Sequence, residues 1–367
     1  MTVLVLGVVS VLGALGYLLF WPVPIQPVAW RAPRSKGHVG SHARNARLTD
    51  LRLIDLGGSR GPEHIAVDAE GRIYAAVEDG RVLRVHPDGS GRATYAHTGG
   101  RPLGLAFDPD GRLLIADAYR GLLRVAADRR VEVLADHVNG SPIRFANAVC
   151  AASDGRVFVS DSSQRFGAEK WGGTFTASII DIMEGRATGV LVFQPKTRET
   201  SIVMDGLAFA NGVALDDREE SLFIVESGRY RVLRHCLAGA KAGRVEVVLD
   251  NLPGYPDNLT RGESGRYWLG LAKPRNAFVD ALMAHPFWKK VAFRLPRMLW
   301  PVPPAYGHVI AFEASGRIVA DLQDPSGAYP ETTGVTETGD RLYIQSLTAR
   351  AIGYLDKRSS ALFLDPS

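Results

Sequence analysis

Apolar residues along most of this chain come in runs of four to seven, rich in Val, Ile, Leu, Phe and Tyr and separated by turns containing Asp, Asn or Gly. HIAVD, RIYAAVE, RVLRVHP and TYAHT follow one another within residues 64–98. Short apolar runs punctuated by turn residues predict strands, here four to a unit. The unit recurs as GPEHIAVDAEGRIYAAVED from Gly61, RPLGLAFDPDGRLLIADAYRG from Arg101 and FANAVCAASDGRVFVSDSS from Phe145. It recurs again as FANGVALDDREESLFIVES from Phe209, YPDNLTRGESGRYWLGLA from Tyr255 and, least regularly, ETTGVTETGDRLYIQSL from Glu331. A single four-stranded sheet cannot bury both faces, whereas six packed radially can. The pattern therefore predicts an all-β, six-bladed β-propeller around a central channel. The phrase LRLIDLG at 51–57 repeats EVVLDNL and IVADLQD, which end later units, so an N-terminal strand is expected to complete the last blade.

Two units are stretched. Residues 163–189 form an insertion long enough to fold over the channel mouth, and residues 273–308 form another in the fifth blade. The middle of the second interleaves Phe287, Trp288, Val291, Leu295 and Met298 with Lys289, Lys290, Arg294 and Arg297, which predicts a helix. Such a helix could cap the blade or lie on a membrane surface; the two readings are compatible. At the other end, Val3 to Trp21 is an uncharged apolar run, and residues 1–21 are expected to form a transmembrane helix. A cleaved signal peptide is the alternative; against it, no basic residue follows Met1 and the run ends in Leu-Leu-Phe-Trp-Pro. Residues 22–50, rich in Pro and Arg, read as a tether to a propeller spanning 51–367.

Charge adds little to the fold and something to location. The net charge of +4 is concentrated in Arg31, Arg34, Lys36, Arg44 and Arg47 and in a second cluster at 275–297. That suits membrane-proximal segments better than a nucleic-acid groove, which needs a basic stripe with stacking aromatics, so no nucleic-acid partner is expected. Positive charge after the span favours a cytoplasmic propeller. Two cysteines, Cys150 and Cys236, exclude a disulfide framework.

The candidate chemistry lies at one register of the repeat. Counting back eight residues from the turn reaches Glu63, Leu103, Asn147, Asn211 and Asp257, and alignment of Gly334-Val335 adds Thr333. Equivalent points of a closed ring converge on its axis, so Glu63, Asn147, Asn211 and Asp257 are expected to face one another as metal ligands. Two carboxylates without a cation would repel in such a space. Four hard oxygen donors fit Ca2+, with Mg2+ as the alternative, and the nine histidines show no ligand spacing that would suggest zinc. An open cation site polarises an ester or lactone oxygen, and Asp257 is the candidate base or nucleophile. Arg101 either orients a carbonyl or anionic group or forms a salt bridge. His64 should turn away from the axis. Asp117, Asp161 and Glu226, at the ends of second strands, are expected to bond turn amides.

GPE at 61–63, GRPLGLAF at 100–107, ADAYRGL at 116–122, MEGRATGVL at 183–191, FANGVAL at 209–215 and YPDN at 255–258 resemble the strictosidine synthase-like proteins. They resemble in particular the adipocyte plasma membrane-associated protein group, over roughly residues 45–355 and including HPFWKKVAFRL of the stretched fifth blade. The resemblance extends to a wider clan of six-bladed propellers containing gluconolactonase-type proteins and paraoxonases. It implies calcium held by Glu63, Asn147, Asn211 and Asp257, with Asp257 also taking part in hydrolysis. Arylesterase- or lactonase-type activity on small esters or lactones follows from it, as does a membrane-anchored, exoplasmic or periplasmic propeller. Long translocated domains override flanking charges, so this placement is preferred to the cytoplasmic one. True strictosidine synthases condense an amine with an aldehyde through a late-blade glutamate. This chain has Asp257 and Thr333 in its late blades and no matching Glu. The synthase reaction and a non-catalytic binding propeller with structural calcium are the alternatives.

Overall fold

In the first two blades the turn between first and second strands is built by one aspartate and one glycine. In Asp68–Arg72 the Asp68 Oδ1 accepts from the backbone N–H groups of Glu70 and Arg72, and its Oδ2 accepts from Arg72 Nε at 2.6 Å. Asp108 repeats this with Asp110 and Arg112. The glycine before each arginine has positive φ, 78° at Gly71 and 74° at Gly111, where a side chain would be strained.

The computed structural model describes residues 2–186, 188–358 and 362–363. Within them six four-stranded antiparallel sheets form a propeller. The inner strands are Ile65–Val67, Pro102–Phe107, Ala146–Ala151, Ala210–Leu215, Gly254–Arg261 and Thr332–Glu337, each touching the next and the last touching the first. The ring is closed by Arg52–Asp55, which pairs antiparallel with Ala351–Asp356 as the outer strand of the sixth blade.

Burial follows the ring. Second strands such as Ile73–Ala76 and Leu113–Asp117 are buried on both faces, while the outer strand Ala93–His97 is largely exposed. Each seam between neighbouring blades holds its own apolar cluster. Leu114 and Leu122 of the second blade meet Val159 and Leu191 of the third, and Trp268 and Leu322 of the fifth meet Val335 and Ile344 of the sixth. A buried Leu, Val or Phe contributes roughly 1.5–3 kcal/mol, so six seams of this kind hold the ring without a disulfide. Cys150 and Cys236 are free thiols.

Among the described residues four α-helices decorate one end. The helix α1 is Thr2–Phe20, α2 is Gly173–Glu184, α3 is Ala277–Leu282 and α4 is Pro286–Arg294. Asn276 caps α3, its Oδ1 accepting from the N–H groups of Phe278 and Val279, and Pro286 opens α4. The helix predicted from Phe287 to Met298 is α4, which stops before Pro296, a residue that cannot continue it, while α3 precedes the predicted stretch. The other insertion, expected as a loop, contains α2.

The transmembrane expectation requires correction. Among the described residues no helix is long and apolar enough to cross a membrane. The 19 residues of α1 span about 28 Å at 1.5 Å per residue, at the lower end of what crosses a hydrocarbon core of about 30 Å. Gly7, Gly13, Gly16 and Ser10 dilute its apolar surface. Its last turn is also tied to the insertion, where Arg294 donates from Nε to Trp21 O at 2.7 Å and from Nη1 to Leu18 O at 2.8 Å. The segment 22–50, expected as a tether, runs along the insertions with Ile25 and Leu48 buried. Its backbone bonds Val28 N–H to Glu184 O and Trp30 N–H to Met283 O.

Candidate metal centre and active site

A small defect in five of the six inner strands aims the axial residues. Pairing between first and second strands shifts register between Pro102 and Leu105, Ala146 and Val149, Ala210 and Val213, Pro256 and Leu259, and Thr332 and Gly334. These bulges contain Leu103, Asn147, Asn211, Asp257 and Thr333. A bulge bends its strand and redirects a side chain, here at the register singled out by the repeat. Glu63 occupies the equivalent place just ahead of Ile65–Val67, its N–H bonded to Ala76 O. The next residue is kept small where strands crowd: a Cβ on Gly104 would lie 2.6 Å from Asn147 O, and one on Gly212 would lie 2.7 Å from Asp257 O.

The structure brings Glu63, Asn147, Asn211 and Asp257 to the floor of one cavity of about 190 Å³. All four are buried. Asn211 Nδ2 donates to Asp257 Oδ1 at 2.7 Å. Glu63 Oε2, Asn147 Oδ1 and Asn211 Oδ1 are buried acceptors without a hydrogen-bond partner. Leaving such groups unpaired costs about 1–3 kcal/mol each, so three together at one point call for a cation or ordered water. Their donor set, carboxylate and amide oxygen with no sulfur or imidazole, fits a hard divalent ion.

Two serines decide which atom of each amide faces the axis. Asn147 Nδ2 donates to Ser162 Oγ at 3.0 Å, and Asn211 Nδ2 donates to Ser227 Oγ at 3.3 Å. Each serine spends its own hydroxyl hydrogen on the following blade, Ser162 on Ala210 O and Ser227 on Pro256 O. A hydroxyl that has given its one hydrogen can only accept, so the amide nitrogen must turn toward it and Oδ1 toward the cavity. Ser162 and Ser227 were not identified from the sequence, although each follows an acid at matched strand ends, Asp161 and Glu226. Those acids act as expected: Asp161 accepts from Phe145 N–H, Glu226 from Ala208 N–H, and Asp117 from Arg101 N–H.

Electrostatics sharpen the case. Burial pushes the Asp257 carboxyl well above its ordinary value, and nearby Glu63 raises it further. Burial likewise raises Glu63, opposed by the Arg101 charge and by the amide of Asn258. Asn258 Nδ2 reaches Glu63 Oε1 at 3.1 Å and Glu63 O at 2.9 Å, a buried contact that its turn-like Asp-Asn setting concealed. Arg101 does not line the cavity. It is buried behind Glu63, donates Nη1 to Pro102 O at 3.0 Å and forms no close ion pair among the described residues. Its charge opposes the rise that burial imposes on the Glu63 carboxyl. His64 is buried outside the cavity, with its pKa lowered to about 4 by burial.

The walls come from the insertions. Phe175, Ile179 and Ile182 of α2 face Leu282, Met283 and Trp300 of the fifth-blade insertion across an apolar space above the four polar residues. Lys273, also absent from the sequence-based set, reaches the cavity and pairs with Glu331 at 2.6 Å. An apolar chamber with a few convergent polar groups is what a small-molecule site requires.

The family model described as strictosidine synthase-like, N-terminal matches residues 40–85, and that described as strictosidine synthase matches residues 147–240. Protein strictosidine synthase-like 13 of Arabidopsis thaliana is 32% identical over 340 residues, covering 83% of this chain and 80% of the relative. Adipocyte plasma membrane-associated protein of Bos taurus is 30% identical over 367 residues, covering 93% and 86%. Among solved structures, a gluconolactonase from Xanthomonas campestris superposes with a TM-score of 0.58 at 18% identity, covering 91% of this chain and 98% of its own. A luciferin-regenerating enzyme gives a TM-score of 0.56 at 12% identity, covering 83% and 94%. At these identities the structures share the fold alone.

Proposed function

The chain belongs to the strictosidine synthase-like family, and from that premise we propose that it is a calcium-dependent hydrolase of small esters or lactones. One observation carries the reading: three buried, unpartnered oxygens of Glu63, Asn147 and Asn211 share a cavity floor with Asp257.

Glu63, Asn147, Asn211 and Asp257 would hold the cation. A divalent ion bound there supplies Lewis-acid polarisation of a carbonyl oxygen. Asp257, held by Asn211 and raised by burial, would take the proton of an attacking water as general base. The apolar walls of α2 and the fifth-blade insertion hold the alkyl or aryl part of the substrate and exclude bulk water. Lys273, neutralised by Glu331, would receive a polar substituent at the wall rather than the reacting carbonyl. The gluconolactonases that share this fold agree with a lactone as one substrate class, but only at the level of architecture.

The test is hydrolysis of phenyl acetate and a panel of lactones, with and without chelator, by the wild type and Asp257→Asn. Turnover that calcium restores and the variant lacks is the expected result. Chelator-insensitive condensation of an amine with an aldehyde would replace the hydrolase reading with a synthase. Calcium-dependent folding without any turnover would replace it with a binding propeller.

A further inference from the structure

The histidines have no ligand spacing along the sequence, yet the fold carries two of them to one carboxylate. His42 ends a short 3-10 turn, Gly40–His42, and places Nδ1 2.8 Å from Asp321 Oδ2. His308, in the strand Gly307–Glu313, places Nε2 3.0 Å from the same oxygen. The three ligand atoms lie within 4.8 Å of one another. His308 and Asp321 are buried, and the side chain of His42 is 19% exposed, which leaves a path from solvent.

A second row of groups fixes the carboxylate. Asp321 Oδ1 accepts from Asn45 Nδ2 at 3.1 Å and from Gln323 Nε2 at 2.5 Å, and Gln323 Oε1 accepts from Tyr306 OH at 2.7 Å. One oxygen is thus taken by amides while the other faces two imidazole nitrogens. Ligating carboxylates are characteristically held this way by outer hydrogen bonds. The ring of His38 lies 5.6 Å from that of His308, beside the group.

We propose that His42, His308 and Asp321 form a second metal site, for a zinc-class divalent ion, that clips the N-terminal segment to the outer strands of the fifth blade. Two imidazoles and one carboxylate suit a borderline ion in four-coordinate geometry, with His38 or solvent in the fourth position. The axial site, all oxygen, suits a hard ion, so the two sites discriminate between metals. This site is independent of the hydrolase reading and touches none of its residues.

The experiment uses the full chain, stripped with chelator and titrated separately with Zn2+ and Co2+ in excess Ca2+. One Zn2+ per chain that calcium does not displace is expected, with Co2+ giving visible absorption of four-coordinate intensity. Asp257→Asn should leave both signals intact. His42→Ala and Asp321→Asn should each weaken Zn2+ by at least about 100-fold. His42→Gln, which retains a donor toward Asp321, should keep the native circular dichroism and melting temperature while losing the Co2+ spectrum, separating lost metal from lost fold. Equal Zn2+ affinity in wild type, His42→Gln and Asp321→Asn would overturn the proposal, as would no binding to the wild type at micromolar Zn2+.

Discussion

Asn211 hands its side-chain N–H to Asp257 across the seam between the fourth and fifth blades, at 2.7 Å, and leaves its own Oδ1 without a partner. The bond holds the carboxylate of one blade with an amide from another, so both are positioned only when the ring is assembled. Asp257→Asn can still accept that hydrogen through its own Oδ1, so the variant should fold. It should lose about 10²–10⁴ in kcat if the carboxylate is the base, with the native fold kept in chelator and a smaller rise in melting temperature on adding calcium than the wild type shows. Steady-state kinetics and a thermal melt check both halves.

Calcium and pH should act on stability in opposite directions. Burial raises the carboxyls of Asp257 and Glu63, each also affected by its charged neighbours. A carboxyl raised on folding stabilises the protein fully below its unfolded value of about 4, and that contribution is lost as pH rises through the folded value. In chelator the melting temperature should therefore fall between pH 5 and pH 8. Cation binding needs both groups ionised, so it strengthens over the same range. Calcium at 100 times its Kd adds about 2.7 kcal/mol, a shift of roughly 5–10 °C at about 2–4 °C per kcal/mol. Melts at pH 5 and pH 8, with and without calcium, read the sign directly.

Ser162 and Ser227 touch no proposed reacting atom, yet they orient Asn147 and Asn211. Ser162→Ala and Ser227→Ala leave those amides free to flip. Each should lower calcium affinity by about 10–100-fold while preserving the fold, as measured by calorimetric titration.

Gly212→Ala tests the crowding at the axis. Its Cβ would lie 2.7 Å from Asp257 O and closer still to Leu259 N, both of them backbone atoms that cannot swing away. The expected loss is about 1–3 kcal/mol or more, read by denaturant unfolding. Gly71→Ala meets no crowding and strains only φ, so its loss should be smaller.

The blades were legible because each is written twice over, in strand-length apolar runs and in the Asp/Gly turns that Asp68 and Asp108 close with their own side chains. The axial register was legible for the same reason: a repeat puts like positions at like places. Nothing local marked the bulges that aim those positions. Asn258 looked like half of a turn dipeptide, because its partner Glu63 lies 195 residues away. Arg101 was judged by its place in the repeat, but a long side chain that starts beside the axis can end behind it. The N-terminal run reads as a span from its local composition, whereas its docking on Arg294 depends on an insertion 273 residues distant. His42, His308 and Asp321 were invisible for the same reason, since long-range convergence leaves no spacing to read.

The outer strand of the sixth blade comes from Arg52–Asp55, the earliest propeller strand to be made, and its partner Ala351–Asp356 is the latest. During synthesis that first strand must wait, hydrogen-bonding edge open, until Ala351–Asp356 has been made. The circle is therefore sealed in a single late event between its two most separated pieces. Folding should be slow for its size, and a nascent chain stalled before Ala351 would offer an unpaired edge to its neighbours.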